Sequence, residues 1–307
     1  MITLLLSGGL GNQMFQYAFA RSLALRKCTG LRISRRFLRD DDFGRSYSLD
    51  KLSLPEDVQM MTYSQELKAH SEFYFARKIH SLVNKIRGHG RDFFTGKYIY
   101  LTDYDRYEPG VMSPNYGGEN ITVNGLFQSQ KYFRDYDAVI CDELKVSVPP
   151  SPENAAMIRE LSGCESVCVH VRRGDYLTLD FGNVCGYEYY AEAMKNIAGR
   201  VSHPVFCFFS NTHEDICWLN ENWKFPGHDV RYVDLSNPDY EELRLMYSCR
   251  HFIIANSTLS WWGSYLSDSP RKIICAPSKW IGERRIEDTN IWLPEWTVID
   301  TRKENDA

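Results

Sequence analysis

Residues 251–266 read HFIIANSTLSWWGSYL, and this stretch decides the fold. The apolar run 251–255 has the length and composition of a buried strand. The polar turn 256–258 follows it, and apolar residues then recur at helical spacing over 259–266. A strand, a polar turn and a helix in this order predict one β–α unit of a parallel sheet.

The second half of the chain repeats this alternation of strands and helices. Continuous apolar strands that alternate with helices are typical of a parallel sheet covered on both faces. The pattern also opens the chain, where the apolar run 2–6, a glycine-rich turn and a helical repeat predict another β–α unit. The other strands of the second half are predicted at 166–171, 205–210, 230–234 and 272–276, and its other helices at 188–199, 214–221 and 239–248.

A proline-rich segment separates the two patterned regions. Pro149, Pro150 and Pro152 fall within residues 146–152, so this segment cannot continue a helix or a central strand. At 307 residues the chain is long enough for two domains. The sequence therefore predicts an α/β protein with two Rossmann-like domains, 1–150 and 151–307, that face each other across a cleft.

Composition excludes several classes of protein. Hydrophobic residues make up 43% of the chain and charged residues 25%, which are ordinary values for a globular protein. A net charge of −4 without a long basic run excludes nucleic acid as an expected partner. No apolar stretch reaches the ~18 residues of a transmembrane segment, and the N-terminus lacks a signal-peptide pattern. The nine cysteines show no CxxC spacing and fit a reducing compartment, so a cytoplasmic location is predicted.

Polar residues follow the predicted strands of the second half, where open α/β sheets bind ligands. Arg172 and Arg173 follow one strand, and their planar guanidinium groups match phosphate oxygens. Ser257 and Thr258 open a helix and offer hydroxyl and backbone N–H groups to an anion. Together these residues predict a diphosphate site that needs no metal. The alternative is that the arginines pair with carboxylates and that Ser257 and Thr258 only cap the helix.

Four more polar residues lie at the same strand ends and are assigned to this site. His170 directly precedes the arginines, which favours a ligand contact over the alternative of a core histidine. Ser210 and Asn211 end the next strand, and Asn256 precedes Ser257. The predicted nucleotide site thus draws on three strand ends.

The glycine-rich turn of the first half is followed by Asn12, which the fold places at the opposite lip of the cleft. The dinucleotide-binding pattern G-x-G-x-x-G fails here, because Met14 occupies the third glycine position. This argues against a nicotinamide or flavin enzyme, and no cofactor is expected. Asp103 and Asp105 spell a D-x-D pair of the kind that holds metals in other nucleotide-sugar enzymes, as do Asp135 and Asp137. We interpret both pairs as solvated surface charges. The alternative is a metal-dependent transferase that uses Asp103 and Asp105.

Six short blocks of sequence occur together and span nearly the whole chain. They are SGGLGNQMFQY at 7–17, FQSQKYF at 127–133, HVRRGDY at 170–176, FFSN at 208–211, IIANSTLSWWG at 253–263 and LPEW at 293–296. These blocks, in this order, resemble the α-1,2-fucosyltransferases of glycosyltransferase family 11, and specifically the bacterial members. Thr212 departs from the pattern, since relatives often carry an acid at that position.

The resemblance implies the two-domain fold called GT-B and an inverting, metal-independent transfer of fucose to the 2-hydroxyl of a terminal β-galactoside. It implies that GDP-fucose binds to the C-terminal half and the acceptor mainly to the N-terminal half. By this analogy Arg172 binds the pyrophosphate and stabilises the leaving GDP. His170 helps to seat the nucleotide, and Ser257 and Thr258 bind phosphate.

The resemblance also assigns residues around the acceptor. Asn12 is expected to position the phosphate or the acceptor, and Gln128 and Lys131 of the 127–133 block are expected to contact the acceptor. Asp180 lies near the spacing of the general base in related fucosyltransferases, with an ordinary loop acid as the alternative. The expected acceptor is a galactose-containing oligosaccharide or O-antigen glycan, and its identity stays open. Whether the protein makes a peripheral contact with the inner membrane also stays open. A non-catalytic sugar-nucleotide or glycan-binding protein on the same scaffold is the alternative function.

Overall fold

The structure is a computed structural model that describes residues 1–39, 45–87, 90–104, 106–173 and 185–301. Contacts divide the chain into two compact units, Met1–Lys145 and Val146–Ala307. The division falls at the start of the proline-rich segment 146–152. No helix within the described ranges is both long enough and apolar enough to cross a membrane.

The first unit is built on a sheet of six strands among the residues described. These are β1 (Ile2–Leu5), β2 (Leu31–Ser34), β3 (Val58–Met60), β4 (Phe93–Phe94), β5 (Tyr98–Leu101) and β6 (Ile121–Gly125). The sheet order is β3-β2-β1-β6-β5-β4. Neighbouring strands run parallel except β4 and β5, which pair antiparallel. All four residues of β1 are buried, as expected for a central strand.

The helices of the first unit differ in how much of their surface is buried. They are α1 (Leu10–Arg26), α2 (Arg36–Arg39), α3 (Tyr63–Arg87) and α4 (Asp137–Glu143). The helix α1 follows β1 as predicted, and nearly every residue from Leu10 to Ala24 is buried. The helix α3 occupies part of the charged and aromatic region for which the sequence pattern was weak. Its Phe73 packs with Leu5 and Phe93 in the core of this unit.

The second unit contains a fully parallel sheet within the part of the chain that is described. Its strands are β7 (Ser166–His170), β8 (Val205–Phe209), β9 (Asp229–Tyr232), β10 (His251–Ile253), β11 (Ile274–Pro277) and β12 (Thr297–Ile299). The order is β12-β11-β10-β7-β8-β9, and every neighbouring pair is parallel. Renumbered within the unit, this is the 3-2-1-4-5-6 order of a Rossmann fold. The predicted α/β class is confirmed, and the two Rossmann-like units give the chain a GT-B-like fold.

Helices alternate with the strands of the second unit. They are α5 (Pro152–Gly163), α6 (Tyr187–Ala198), α7 (His213–Asn222), α8 (Asp239–Tyr247) and α9 (Thr258–Leu266). The helix α5 was not predicted, because the prolines before it were interpreted only as a linker. Ser151 caps α5 by accepting a hydrogen bond from the backbone N–H of Asn154, and Pro152 occupies the first turn, where its missing N–H costs nothing.

Apolar residues of the sheet and its helices form the core of the second unit. Val167, Val169, Phe206 and Phe208 from two central strands pack in one buried cluster. Trp261 and Trp262 of α9 are both fully buried, so neither is available to a ligand. All nine cysteines lie in the described ranges, and none of them forms a disulfide.

Candidate active site

The strand order of the second sheet reverses at β7. β8 and β9 lie on one side of this strand, and β10, β11 and β12 lie on the other. Open α/β sheets bind ligands beyond the carboxyl ends of the strands at such a point. The segments that follow β7, β8 and β10 therefore form the candidate nucleotide site. They contain the residues that the sequence analysis assigned to the donor.

Strand register places these segments side by side. Ile253 of β10 pairs with Val169 of β7, and His170 of β7 pairs with Phe209 of β8. The backbone N–H of Val171 donates to the carbonyl of Phe209 over 2.9 Å, which continues the ladder by one residue. Arg172 and Arg173 thus begin where the paired region ends.

Arg173 is held against α7 by two contacts. Its Nε lies 3.5 Å from Oδ1 of Asp215, and its Cζ lies 3.3 Å from the centroid of the Trp218 ring. A guanidinium over an indole face is a favourable cation–π arrangement. Thr212 caps the same helix, because its hydroxyl accepts a hydrogen bond from the backbone N–H of Asp215 over 3.2 Å. The helix α7 therefore positions Arg173, whereas the Thr212 hydroxyl caps α7.

The charge of Arg172 acts on the carboxyl group of Glu242, a residue that was not assigned to the site from sequence. Burial and the neighbouring Asp239 and Asp234 raise the pKa of Glu242 to about 8, and the Arg172 guanidinium partly opposes this rise. Glu242 lies in the first turn of α8, which follows the carboxyl end of β9. Its position after a strand end was the available sequence signal. The site thus brings the Arg172 cation within electrostatic range of a carboxyl group whose pKa is raised by burial.

His170 is a buried, neutral histidine. Burial, and to a lesser extent the Arg172 cation, lower the pKa of its imidazole to about 3. Its backbone carbonyl accepts a hydrogen bond from the Tyr190 hydroxyl over 3.0 Å. Its Nδ1 is buried and has no hydrogen-bond partner among the residues described. An uncharged imidazole with one ring nitrogen still to be satisfied suits a polar ligand atom.

The polar side chains of the neighbouring strand ends mostly bind the protein itself. The Ser210 hydroxyl donates to the carbonyl of Val171 over 2.9 Å and so ties β8 to β7. The Asn256 amide donates to the carbonyl of Trp280 over 3.0 Å. Asn211 differs, because its buried Oδ1 accepts no hydrogen bond from the described part of the chain.

The helix α9 begins without a side-chain cap. Ser257 occupies the N-cap position in an extended conformation, and its side chain makes no capping hydrogen bond to the helix. Its carbonyl accepts from the backbone N–H of Trp261 over 3.0 Å. Thr258 is the first helical residue. The prediction that Ser257 and Thr258 open a helix is confirmed, and first-turn N–H groups of α9 point toward the strand-end edge.

The first sheet reverses its order between β1 and β6, and a pair of amides lies at that point. Nε2 of Gln128 donates to Oδ1 of Asn12 over 3.0 Å. Gln128 is buried, and its own Oε1 has no partner among the residues described. Gly8 adopts a positive φ of 77°, and a Cβ there would lie 3.1 Å from Nδ2 of Asn12. The glycine therefore allows the turn to pass close to the Asn12 amide.

Two further amides of the glycine-rich block hold the turn in place. Gln16 donates to the carbonyl of Ser7 and accepts from its backbone N–H, both over 3.0 Å. Gln13 donates to the carbonyls of Gly8 and Ser46, both over 2.8 Å. The sequence placed the Gln13 amide beside Asn12 at the lip of the cleft and assigned no role to Gln16. Lys131, predicted to contact the acceptor, is exposed, and its ammonium lies 5.6 Å from the centroid of the Tyr107 ring.

Some predicted residues fall outside the described ranges. Asp180, the candidate base, is one of them, and so is Asp105 of the D-x-D pair. Asp103 is described and exposed. The described residues contain no group of three or more His, Cys, Asp or Glu side chains that could hold a metal ion.

A family comparison agrees with this arrangement. The family model described as Glycosyl transferase family 11 matches residues 1–300. The chain belongs to glycosyl transferase family 11. The resemblance stated from the six sequence blocks is thereby confirmed, and the protein is a glycosyltransferase.

Individual family members are similar over most of their length. An alpha-1,2-colitosyltransferase of Escherichia coli is 26% identical and aligns over 96% of this chain and 97% of its own. The O-antigen biosynthesis glycosyltransferase WbnK of Escherichia coli is 29% identical over 90% of this chain and 93% of its own. Galactoside alpha-(1,2)-fucosyltransferase 1 of Saimiri boliviensis boliviensis is 26% identical and aligns over 95% of this chain and 73% of its own.

A solved structure shares the fold of this family 11 chain. The FUT1 mutant R284K of Arabidopsis thaliana, solved in complex with GDP, superposes with a TM-score of 0.51 and 11% identity. The match covers 89% of this chain and 69% of that one. At this identity the likeness concerns the fold alone.

Proposed function

We propose that the protein is an inverting, metal-independent α-1,2-fucosyltransferase. It would move fucose from GDP-β-L-fucose to the 2-hydroxyl of a terminal β-galactoside in an oligosaccharide or O-antigen glycan. One observation carries the proposal: Arg172, Arg173 and the uncapped start of α9 follow the adjacent strands β7 and β10 where the sheet order reverses. Two cations and a helix N-terminus form a site suited to a diphosphate.

The charge that develops during transfer explains the role proposed for Arg172. When the bond between the anomeric carbon and GDP breaks, the sugar gains positive charge and the β-phosphate gains negative charge. A preorganised cation stabilises this negative charge most in the transition state. Arg172 would perform this task. Arg173, held by Asp215 and Trp218, would contact the diphosphate from a fixed position.

Two groups beside the arginines support a guanine nucleotide as the carrier. The neutral imidazole of His170 can exchange a hydrogen bond with the nucleotide without adding charge. The Glu242 carboxyl, which its pKa of about 8 keeps largely protonated at neutral pH, would ionise on accepting hydrogen bonds from the ring N–H and the amino group of guanine, and the Arg172 cation favours this ionised form. We therefore assign residues 151–307 to the donor and residues 1–150 mainly to the acceptor. The free state of all nine cysteines supports a cytoplasmic location for the reaction.

The acceptor is assigned to the amide pair of the first unit. Asn12 and Gln128 meet at the order reversal of the first sheet, and Gln128 keeps a buried acceptor oxygen that a sugar hydroxyl can satisfy. Lys131 is the second acceptor contact proposed from the same block. Attack by the acceptor hydroxyl on the face opposite the leaving GDP gives inversion in one displacement. Asp180 is the proposed general base.

A colitosyltransferase is the second candidate, because one of the similar proteins carries that name over nearly its full length. Colitose is fucose without the 3-hydroxyl, so a site that hydrogen-bonds this hydroxyl would reject GDP-colitose. The test offers GDP-fucose and GDP-colitose with lactose, N-acetyllactosamine and an O-antigen repeat, and detects products by mass spectrometry. We expect fucosyl transfer to be preferred by at least ~10-fold in kcat/KM. A preference for colitose would select the second candidate, and GDP binding without any transfer would favour a binding protein.

Removal of metal ions is expected to leave the transferase active. The site offers arginines and a helix N-terminus for the diphosphate, so transfer should persist in excess EDTA. Asp103→Asn, which changes an exposed acid, and Asp105→Asn should each keep kcat within about threefold. Product formation with and without EDTA measures this. Loss of activity that Mn²⁺ or Mg²⁺ restores would replace the proposal with the metal-dependent alternative.

A further inference from the structure

An apolar stripe runs along the exposed face of α3. Its members, Phe75, Ile79, Leu82 and Ile86, leave between 62% and 77% of their surface exposed. Spacings of four, three and four residues place them in one line on a helix. Phe73 points the other way, into the core of the first unit. The α3 stripe is therefore separate from the face that packs the helix on its sheet.

The apolar surface extends beyond α3. A pocket of about 380 Å³ adjoins the start of the stripe and is lined by Arg36 and Phe37 of α2 together with Leu67, Tyr74 and Phe75 of α3. Phe37, Tyr74 and Leu67 are themselves exposed. A contiguous exposed apolar surface of this kind marks an interaction site in soluble proteins.

The charges beside the stripe are mostly positive, since Glu72, one turn before Phe75, pairs with Lys97 of the same unit over 3.1 Å. Between Phe73 and Ile86 the helix carries Arg77, Lys78 and Lys85 and no Asp or Glu. All three basic side chains are exposed. The ammonium of Lys78 lies 4.6 Å from the centroid of the Tyr74 ring, which puts a cation and an aromatic side chain together at the edge of the stripe.

We propose that the α3 stripe docks this protein on a bilayer surface that contains anionic phospholipids. An amphipathic helix of this composition inserts its apolar side chains among the head groups while its Lys and Arg side chains contact lipid phosphates. A second copy of the chain is a poorer occupant. Two such faces would bring Arg77, Lys78 and Lys85 of both copies together, and this part of the helix has no acid to neutralise them.

Vesicle sedimentation with the full-length protein tests the proposal. Vesicles of phosphatidylcholine alone are compared with vesicles that also contain ~30% phosphatidylglycerol, and the bound fraction gives the partition coefficient. We expect binding to the anionic vesicles to be at least ~10-fold stronger. Ile79→Ser with Leu82→Ser should weaken that binding by at least ~10-fold. Lys78→Gln with Lys85→Gln should also weaken it by ~10-fold or more.

Matched substitutions away from the stripe serve as controls. Val139 on α4 is an exposed apolar residue, and Lys195 on α6 is an exposed lysine. Val139→Ser and Lys195→Gln should leave vesicle binding within about twofold of wild type. Circular dichroism confirms that each variant is folded.

Three results would overturn the proposal. One is that the folded wild-type protein stays in the supernatant with anionic vesicles, and another is that the Ile79→Ser, Leu82→Ser variant binds them as well as wild type does. Ultracentrifugation without lipid could also show a dimer that this variant dissociates, which would assign the stripe to a second copy. GDP affinity, measured separately by calorimetry, distinguishes failure of lipid docking from failure of the proposed transferase function.

Discussion

Arg172→Lys is expected to lower kcat by at least ~100-fold while the protein stays folded, a loss of ~2.7 kcal/mol in transition-state stabilisation. Lysine keeps the positive charge, but it replaces the planar fork of the guanidinium with a point charge and cannot hold two phosphate oxygens at once. Steady-state kinetics at saturating donor measures kcat, and circular dichroism monitors the fold.

Arg231→Lys is the matched control for this substitution. Arg231 lies on β9 and forms surface ion pairs with Glu160 and Asp229. Exposed pairs of this kind contribute little, so kcat should stay within about twofold. Near-wild-type turnover by a folded Arg172→Lys protein would show that Arg172 does not stabilise the leaving diphosphate.

Asn12→Ala is expected to lower kcat by at least ~30-fold and to change the GDP dissociation constant by less than about threefold. Asn12 pairs with Gln128 in the first unit, whereas the proposed nucleotide site lies in the second. Loss of its amide should therefore affect acceptor positioning more than nucleotide binding. Kinetics gives kcat, and calorimetry gives the affinity for GDP.

Two comparisons make the Asn12 result specific. Asn124→Ala removes an amide that donates to the carbonyl of Leu5 over 2.9 Å in the same sheet. This control should lower the free energy of unfolding by ~1 kcal/mol and leave kcat of the folded enzyme nearly unchanged. The double variant Asn12→Ala, Gln128→Ala should lose less transition-state stabilisation, measured from kcat, than the two single variants lose together. The reason is that the two side chains share one hydrogen bond. If Asn12→Ala abolished GDP binding and left turnover at saturating donor intact, Asn12 would belong to nucleotide binding.

The second half of the fold was predictable because its strands are continuous apolar runs. Every residue of β7, β8 and β10 is buried, and each apolar run is followed by polar residues. The helix α3 was not predictable in the same way. Phe73 packs inward while Ile79 and Leu82 stay exposed, so apolar residues lie on both faces and the helical period is blurred.

The helix α5 was not predicted from the sequence for a different reason. Prolines end the element before them, and this property led to the interpretation of 146–152 as a linker. The same residue type is favoured in the first turn of a helix, where Ser151 and Pro152 indeed begin α5. The serine cap was the signal that could have predicted this helix.

The residues of the candidate site that directly follow strand ends could be predicted from the sequence. Those whose roles depend on contacts between residues distant in the sequence could not. The positions of His170, Arg172 and Ser257 follow from parallel strands that end at one edge of a sheet. The role of Gln13 does not follow from the strand ends, because its amide donates a hydrogen bond to the carbonyl of Ser46, which is distant in the sequence. Glu242 was missed for a similar reason, since its proximity to Arg172 arises only when α8 packs beside the sheet.

The product of one reaction tests the proposed transfer most directly. The protein is incubated with GDP-β-L-fucose and a β-galactoside in EDTA, and NMR spectroscopy determines the anomeric configuration and the linkage of the new bond. Inverting transfer to the 2-hydroxyl predicts α-L-fucose linked to carbon 2 of galactose. A β-linked fucose, or fucose on another hydroxyl of the galactose, would contradict it.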